Sequence, residues 1–193
     1  MAKFGRKFKR REKPEFEQEL VDIARVARIV AGGRRMRFRA TIVIGDKKKR
    51  VGMGVAKGND VSTAIEKAVA QAKKNMVSVS ITPDGTIPHE VTIKKGASRL
   101  FLKPAFKGTG IIAGGSVRQV MEMAGVKNVF GKIYGTNNKL NNVQAAIEAL
   151  KSLQTKEEIF AKRGKKLEVK DVVKKVLAKP IKKVVKKESK PKK

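Results

Sequence analysis

From Arg35 to Ile44 the chain alternates without a break. Met36, Phe38, Ala40, Ile42 and Ile44 fall on one side of an extended strand, and Arg35, Arg37, Arg39 and Thr41 fall on the other. A period of two marks a β-strand with one buried face. Ile23–Val30 reads as its partner, with Gly32-Gly33 as the hairpin turn. No Asp or Glu occurs between Arg25 and Ile44. A strand that is apolar on one side and lined with guanidinium groups on the other is suited to holding an anion. Arginine's planar fork favours bidentate phosphate contacts over the point-charge contacts of lysine.

The same sign runs through the whole chain. Over 193 residues the formal charge is +30, which favours a polyanionic partner that supplies counter-charge. Residues 1–13 carry a net +6 and residues 161–193 a net +12, so 18 of the 30 charges sit on two tails. The middle is a basic globular protein of ordinary composition, with room for one domain or two small ones. There is no cysteine, so disulfides and thiol chemistry are excluded. No apolar run approaches the roughly 20 residues that span a bilayer, and the N-terminus has no apolar signal-peptide core. The expectation is a cytoplasmic protein without a membrane partner.

The remaining pattern predicts an α+β chain. EFEQELVD (15–22) reads as a short helical turn after the basic arm. Arg50–Lys57 reads as a third strand, with Val51, Met53 and Val55 on one face and Gly52, Gly54 and Ala56 on the other. Val61, Ala64, Ile65, Ala68, Val69, Ala72 and Met76 recur at helical spacing, predicting a helix over 60–77. Asn59, Asp60 or Thr63 offers its N-cap, and Thr63 with Glu66 fits a capping box. This helix is expected to cover the apolar face of a three-stranded antiparallel sheet. The arginine-and-glycine face would be left outward, where its glycines let a nucleic-acid backbone come close.

The turn at Thr82–Thr86 reads as a domain boundary. Beyond it come strands at Glu90–Lys94 and Ser98–Pro104, the glycine-rich loop 108–115, a helix at Ser116–Ala124 and a strand at Asn128–Tyr134. A further helix follows, capped by Asn141 or Asn142, with Val143, Ala146, Ile147, Leu150 and Leu153 inward. A short helix to about Lys162 precedes the lysine-rich tail. In that tail Val172, Val173, Val176 and Leu177 could form one helical face, although in free solution it is expected to be mostly disordered. The division is a basic arm over 1–14, a first domain over 15–81, a second over 82–163 and a tail over 164–193.

Nothing in the sequence supports catalysis or a cofactor. GMGVAKG (52–58) and GTGIIAG (108–114) are each one residue too long for the dinucleotide fingerprint, and neither ends as a P-loop does. The first reads as a small-residue strand face. The second leads into a helix N-terminus, where phosphate contact and simple tight packing stay open alternatives. His89 is the only histidine and has no cysteine or carboxylate cluster beside it, so neither a zinc site nor a triad is indicated. With one Tyr and no Trp, a single-strand stacking platform has weak support. No helix is basic along one face like a major-groove reader. Shape and backbone recognition of structured RNA is left.

ARVARIVAGGRRMRF (24–38), RVGMGVAKG (50–58), KAVAQAKKNM (67–76), GTGIIAGGSVRQVMEMAGVKNV (108–129) and YGTNN (134–138) together resemble the family of bacterial-type small-subunit ribosomal protein number five. The resemblance covers about residues 18–165. It implies a domain similar to double-stranded-RNA-binding modules, followed by a mixed-sheet α+β domain. It also implies binding to small-subunit ribosomal RNA, with roles in assembly, decoding accuracy and the passage of messenger RNA into the subunit. The implied partners are ribosomal RNA, ribosomal proteins number four and number eight, number three at the messenger channel, and messenger RNA itself. In this family the loop matching Arg28–Arg35 reaches toward the subunit neck and is where spectinomycin resistance arises. The family's usual basic residue before the Gly-Gly pair is Ala31 here.

The candidate RNA-contacting set from residues and resemblance is Arg25, Arg28, Gly32, Gly33, Arg34, Arg35, Arg37, Arg39, Lys48, Lys49, Arg50, Lys57, Lys94, Arg99, Lys107, Lys132, Asn137 and Asn138. Gly108, Gly110 and Arg118 are the implied contact with protein number four. A free-standing duplex-RNA-binding regulator is the second hypothesis, and a nucleotide-dependent enzyme built on Gly108–Gly115 is the third.

Overall fold

A computed structural model describes residues 15–164. The expectations for the basic arm and the lysine-rich tail lie outside the described residues. The chain divides into two units, the first ending at Thr155 and the second starting at Lys156. In the second unit a short helix spans Lys156–Lys162.

The fold is α+β, with two four-stranded sheets in the first unit. Strands β1 (Glu17–Val30), β2 (Gly33–Gly45), β3 (Arg50–Gly58) and β4 (Met76–Ser78) pair antiparallel in chain order, with helix α1 (Val61–Lys74) between β3 and β4. The second sheet has the order β5-β6-β8-β7, from β5 (Val91–Lys95), β6 (Ser98–Pro104), β7 (Ile111–Ile112) and β8 (Val129–Tyr134). Its β7–β8 pair is parallel, joined through helix α2 (Gly115–Ala124), so this sheet is mixed. Helix α3 (Lys139–Ser152) completes the unit.

The sheet-to-helix seam departs from expectation. Gly52, Gly54 and Gly58 do not face outward. They lie under α1, whose buried Ala64, Ala68 and Ala72 recur every four residues along one face. A Cβ at Gly54 would overlap the Ala68 carbonyl, and one at Gly52 would sit 2.5 Å from the Ala72 carbonyl oxygen. Register explains this, because Ile42 pairs with Gly54 and Ile44 with Gly52, and residues directly opposite share a face. Apolar β2 positions and glycine β3 positions therefore belong to the same side, and the helix covers both. Alanine on glycine brings helix and strand backbones closer than larger side chains permit.

The opposite face is the second surprise. Arg35 and Arg37 are exposed, but further along the same side Thr41 and Val43 are fully buried. Val43, Val51 and Val21 join a single core with Val120, Met121 and Met123 of α2 and with Leu100, Leu102 and Val129 of the second sheet. At one end the first sheet is thus buried on both faces. Val21 is the extra residue where the β1–β2 register shifts between Leu20 and Asp22, a bulge that turns it into this core.

Local differences have simple causes. Residues expected as a helical turn begin β1 at Glu17, because they pair with Gly45 and its neighbours at the far end of β2. The hairpin turn is Ala31-Gly32, since Val30 and Gly33 are already paired. The N-cap of α1 is Asp60, with no capping bond from its side chain. The Thr63 hydroxyl donates to the Asp60 carbonyl, so the capping box does not form. Helix α3 is capped by Asn138, whose Oδ1 accepts from the Leu140 N–H at 3.1 Å. Asn142 lies buried inside the helix instead, accepting from the Ser98 hydroxyl at 2.7 Å and donating to the Thr136 carbonyl.

Candidate nucleic-acid interface

The β1–β2 hairpin is longer than the sheet that supports it. Strand β3 pairs with β2 only over Phe38–Gly45, so Gly33–Arg37 and their β1 partners project beyond it. At roughly 3.3 Å per residue this arm extends about 16 Å. At its tip Gly32 and Gly33 face open space, and Gly33 has φ +124°, a conformation that favours glycine.

Register sorts the arginines. Arg28, Arg35, Arg37 and Arg39 share one face of the arm, together with Lys57 of β3 at its base. Arg25 and Arg34 lie on the other face, beside Met36 and Phe38. The arm is basic on both sides. Its tip also carries Ile29, which is 78% exposed. Two pairs on the first face set cation directly against cation, Arg28 opposite Arg35 and Arg39 opposite Lys57. Like charges directly opposite on adjacent strands are destabilising. Among the described residues none of the five has an ion-pair partner within 4.0 Å. A polyanion on this face removes that repulsion.

Arg39 differs from its neighbours. It is only partly exposed, and its Nε is buried without a hydrogen-bond partner in the protein, as is the hydroxyl of Thr41 two residues on. Its stem belongs to the packed base of the arm.

The β2–β3 turn is an ordered structure. Asp46 Oδ1 accepts from the backbone N–H groups of Lys48, Lys49 and Arg50, and Oδ2 accepts from the Arg50 guanidinium at 2.9 Å. Burial would raise the Asp46 carboxyl, but those donors outweigh it and hold it well below the usual carboxylate range. Arg50 also reaches Glu15 and lies 5.1 Å over the Phe16 ring. Lys47 pairs with Glu17, whose hydrogen bond raises the ammonium. So Arg50 has intramolecular partners yet stays exposed, as do Lys48 and Lys49 beside it.

In the second sheet, α2 and α3 cover one face. Lys94, Arg99 and Lys132 share the other. Lys107 stands apart, in the loop after β6 beside Phe106, on the rim of a groove of ≈ 490 Å³. Asn137 and Asn138 lie at the start of α3, where the Asn138 side-chain oxygen is used in capping. Arg118 and Lys132 line one groove of ≈ 380 Å³ where α2 begins. Gly108 and Gly110 are held from the inside, as both donate their N–H groups to Asn128 Oδ1, at 3.1 and 3.2 Å. Asn128 Nδ2 donates in turn to the Asp84 carbonyl. Sequence reasoning missed Asn128. Its one available signal was an asparagine opening a strand twenty residues after the glycine loop it secures.

No group of three or more His, Cys, Asp or Glu side chains able to hold a metal occurs among the described residues, and no helix there is long and apolar enough to cross a membrane.

Comparison with known proteins converges on one family. Residues 16–80 match the family model for ribosomal protein S5, N-terminal domain, and residues 93–163 match that for its C-terminal domain. The chain is 47% identical over 150 residues to small ribosomal subunit protein uS5 of Gloeobacter violaceus, covering 78% of this chain and 67% of the relative. It is 46% identical over 150 residues to protein uS5c of Rhodomonas salina, covering 78% and 89%. It is also 46% identical over 149 residues to uS5 of Synechococcus elongatus, covering 77% and 83%. With a projecting basic hairpin, a mixed second sheet and these matches over most of its length, the chain belongs to the ribosomal protein S5 family, a family of structural ribosomal proteins of the small subunit.

Proposed function

We propose that this protein is a non-enzymatic component of the cytoplasmic small ribosomal subunit, where it binds ribosomal RNA through the β1–β2 arm. The observation that carries this reading is two opposed cation pairs, Arg28 against Arg35 and Arg39 against Lys57, on one face and with no ion-pair partner within 4.0 Å among the described residues. Family membership supplies the kind of polyanion. Phosphates between those side chains would turn a local repulsion into charge-assisted hydrogen bonds. Arg25 and Arg34 on the reverse side would let the arm enter a crevice between RNA helices, with backbone and shape read in place of base edges.

The finer roles are part of the same proposal. These are support for assembly and decoding accuracy, contact with ribosomal protein number four around Gly108, Gly110 and Arg118, and contact with number eight through the second domain. They also include action with number three on messenger RNA where it enters the subunit. The division into an RNA-binding-like domain over 15–81 and a second domain over 82–163, flanked by basic tails, is retained within this reading. So is RNA contact by Lys48, Lys49, Lys94, Arg99, Lys107, Lys132, Asn137 and Asn138.

The test is incorporation. Arg35→Ala/Arg37→Ala changes only exposed side chains, so the fold should persist while incorporation into small subunits drops and release by salt comes earlier. Recovery of the variant in high-salt-washed subunits at the unmutated level would sink the arm as the RNA contact.

A further inference from the structure

The uncovered face of the second sheet carries more than its lysines. Register places Tyr134 opposite Arg99, Phe101 opposite Lys132, and Phe130 opposite Lys103, all on the side away from α2 and α3. Lys94 adjoins Arg99 on the next strand, and Ile112 adjoins Phe130. Each of three aromatic rings thus has a cation as its direct cross-strand neighbour. Tyr134 is 50% exposed and Phe130 43%. Strands β6 and β8 contribute no Asp or Glu to this face, and none of its four cations has an ion-pair partner among the described residues.

We propose that this face is a stacking platform for unpaired nucleotides, with Phe130, Phe101 and Tyr134 receiving bases and Lys94, Arg99, Lys103 and Lys132 taking the phosphates between them. It rests on the reading of the chain as an RNA-binding ribosomal component, and it adds a second mode of contact distinct from the arm. Charge complementarity selects the occupant. Four cations, with no carboxylate from the three strands that carry them, match a polyanion, whereas the centre of a protein interface is depleted of lysine. The rings select single strands over duplex, because bases stacked inside a duplex offer no free face to an aromatic side chain. Spacing is adequate, since Phe130 and Tyr134 lie about 13 Å apart along β8 with Lys132 between them. Few aromatic residues in the chain as a whole argued against such a platform, but pairing gathers three of the nine onto one open surface.

The test uses the full chain at about 0.3 M salt, where phosphate contacts of the basic tails are weakened. The probe is a short single-stranded oligoadenylate containing one fluorescent adenine analogue, whose emission is quenched on stacking. Binding should quench it. Phe130→Leu/Tyr134→Leu, which keeps apolar bulk and removes the rings, should abolish quenching and weaken binding about tenfold. Affinity of that variant for inorganic polyphosphate should be unchanged. Unquenched binding, or equal affinity of variant and parent, overturns the proposal. So does a photo-crosslinker at position 134 that labels protein and not RNA in assembled subunits. The arm is scored separately through Arg35→Ala/Arg37→Ala, so either contact can fail while the other stands.

Discussion

The Lys47 backbone N–H donates to the Met123 carbonyl at 3.1 Å, fastening the β2–β3 turn to the last turn of α2. Two glycine-dependent approaches converge there. A Cβ on Gly45 would overlap the same Met123 carbonyl, and one on Gly125 would overlap the carbonyl of Lys47. Gly125 also ends α2 with φ +88°, a left-handed cap. The two sheets are held together by backbone contact as well as by the shared apolar core.

Gly125→Ala should therefore cost at least about 2 kcal/mol, from left-handed strain together with backbone overlap. Urea unfolding measures it. Gly96→Ala is the control, because Gly96 has φ +58° with open space around it. It should cost about 1 kcal/mol, from strain alone. Equal losses at the two sites would mean that the Lys47–Met123 junction contributes nothing.

Gly54→Ala tests the seam beneath α1. No flexible side chain can yield there, since the obstruction is the Ala68 carbonyl. The expected loss is about 3 kcal/mol or more, seen as a lower urea midpoint. Had the glycine face been open to RNA, as its sequence first suggests, the same change would leave stability untouched and weaken RNA binding alone.

Asp46 makes acid sensitivity testable. Its carboxyl is depressed in the folded chain, so its stabilisation is complete above the ordinary value of 3.8 and is lost as pH falls through the depressed folded value. Asp46→Ala should cost about 1.5–3 kcal/mol at neutral pH, the range for hydrogen bonds to a charged acceptor. The gap between variant and parent should narrow below about pH 4. Denaturant midpoints across a pH series check both statements.

Asn128→Ala removes the acceptor shared by Gly108 and Gly110 and a donor to Asp84. Because Asn128 is buried and its three bonds are partly so, the expected cost is about 1–3 kcal/mol. Amide exchange should accelerate at Gly108 and Gly110 before the rest of the chain. Unchanged exchange there would show that the loop holds its shape without Asn128.

For the arm, removing one phosphate-binding side chain should flatten the dependence of log affinity on log salt by about 0.7–0.9. Arg35→Ala/Arg37→Ala should thus reduce the slope by somewhat under two with structured ribosomal RNA. Arg39 is left intact because its buried Nε ties it to the packing of the base. A variant with lower affinity but an unchanged slope would place those guanidinium groups away from phosphate.

Much of the chain is legible in its local residue pattern. Alternation in β2, the alanine-rich period of α1, the glycine stop after α2 and the span of β6 each follow from local rules of side-chain direction. Those same rules stop short at definite places. Asn138 caps α3 although Asn141 and Asn142 are as suitable chemically, because Ser98 and Thr136 draw Asn142 inward. The two-residue β7 escapes them, since a pair of isoleucines forms a strand only through a partner, here Val129 and Phe130.

The sequence by itself determined which residues share a face, where the main elements lie, that the surface is polycationic and which family the motifs resemble. Tertiary structure alone decided what each face meets. The glycines of β3 lie under α1, the arginine side of β2 runs into a core shared by both sheets, and three scattered rings meet on one open surface. Periodicity comes from bonds between neighbouring residues and can be read locally. The covering of a face depends on register and on packing between segments far apart in the chain, and no single stretch of residues encodes it.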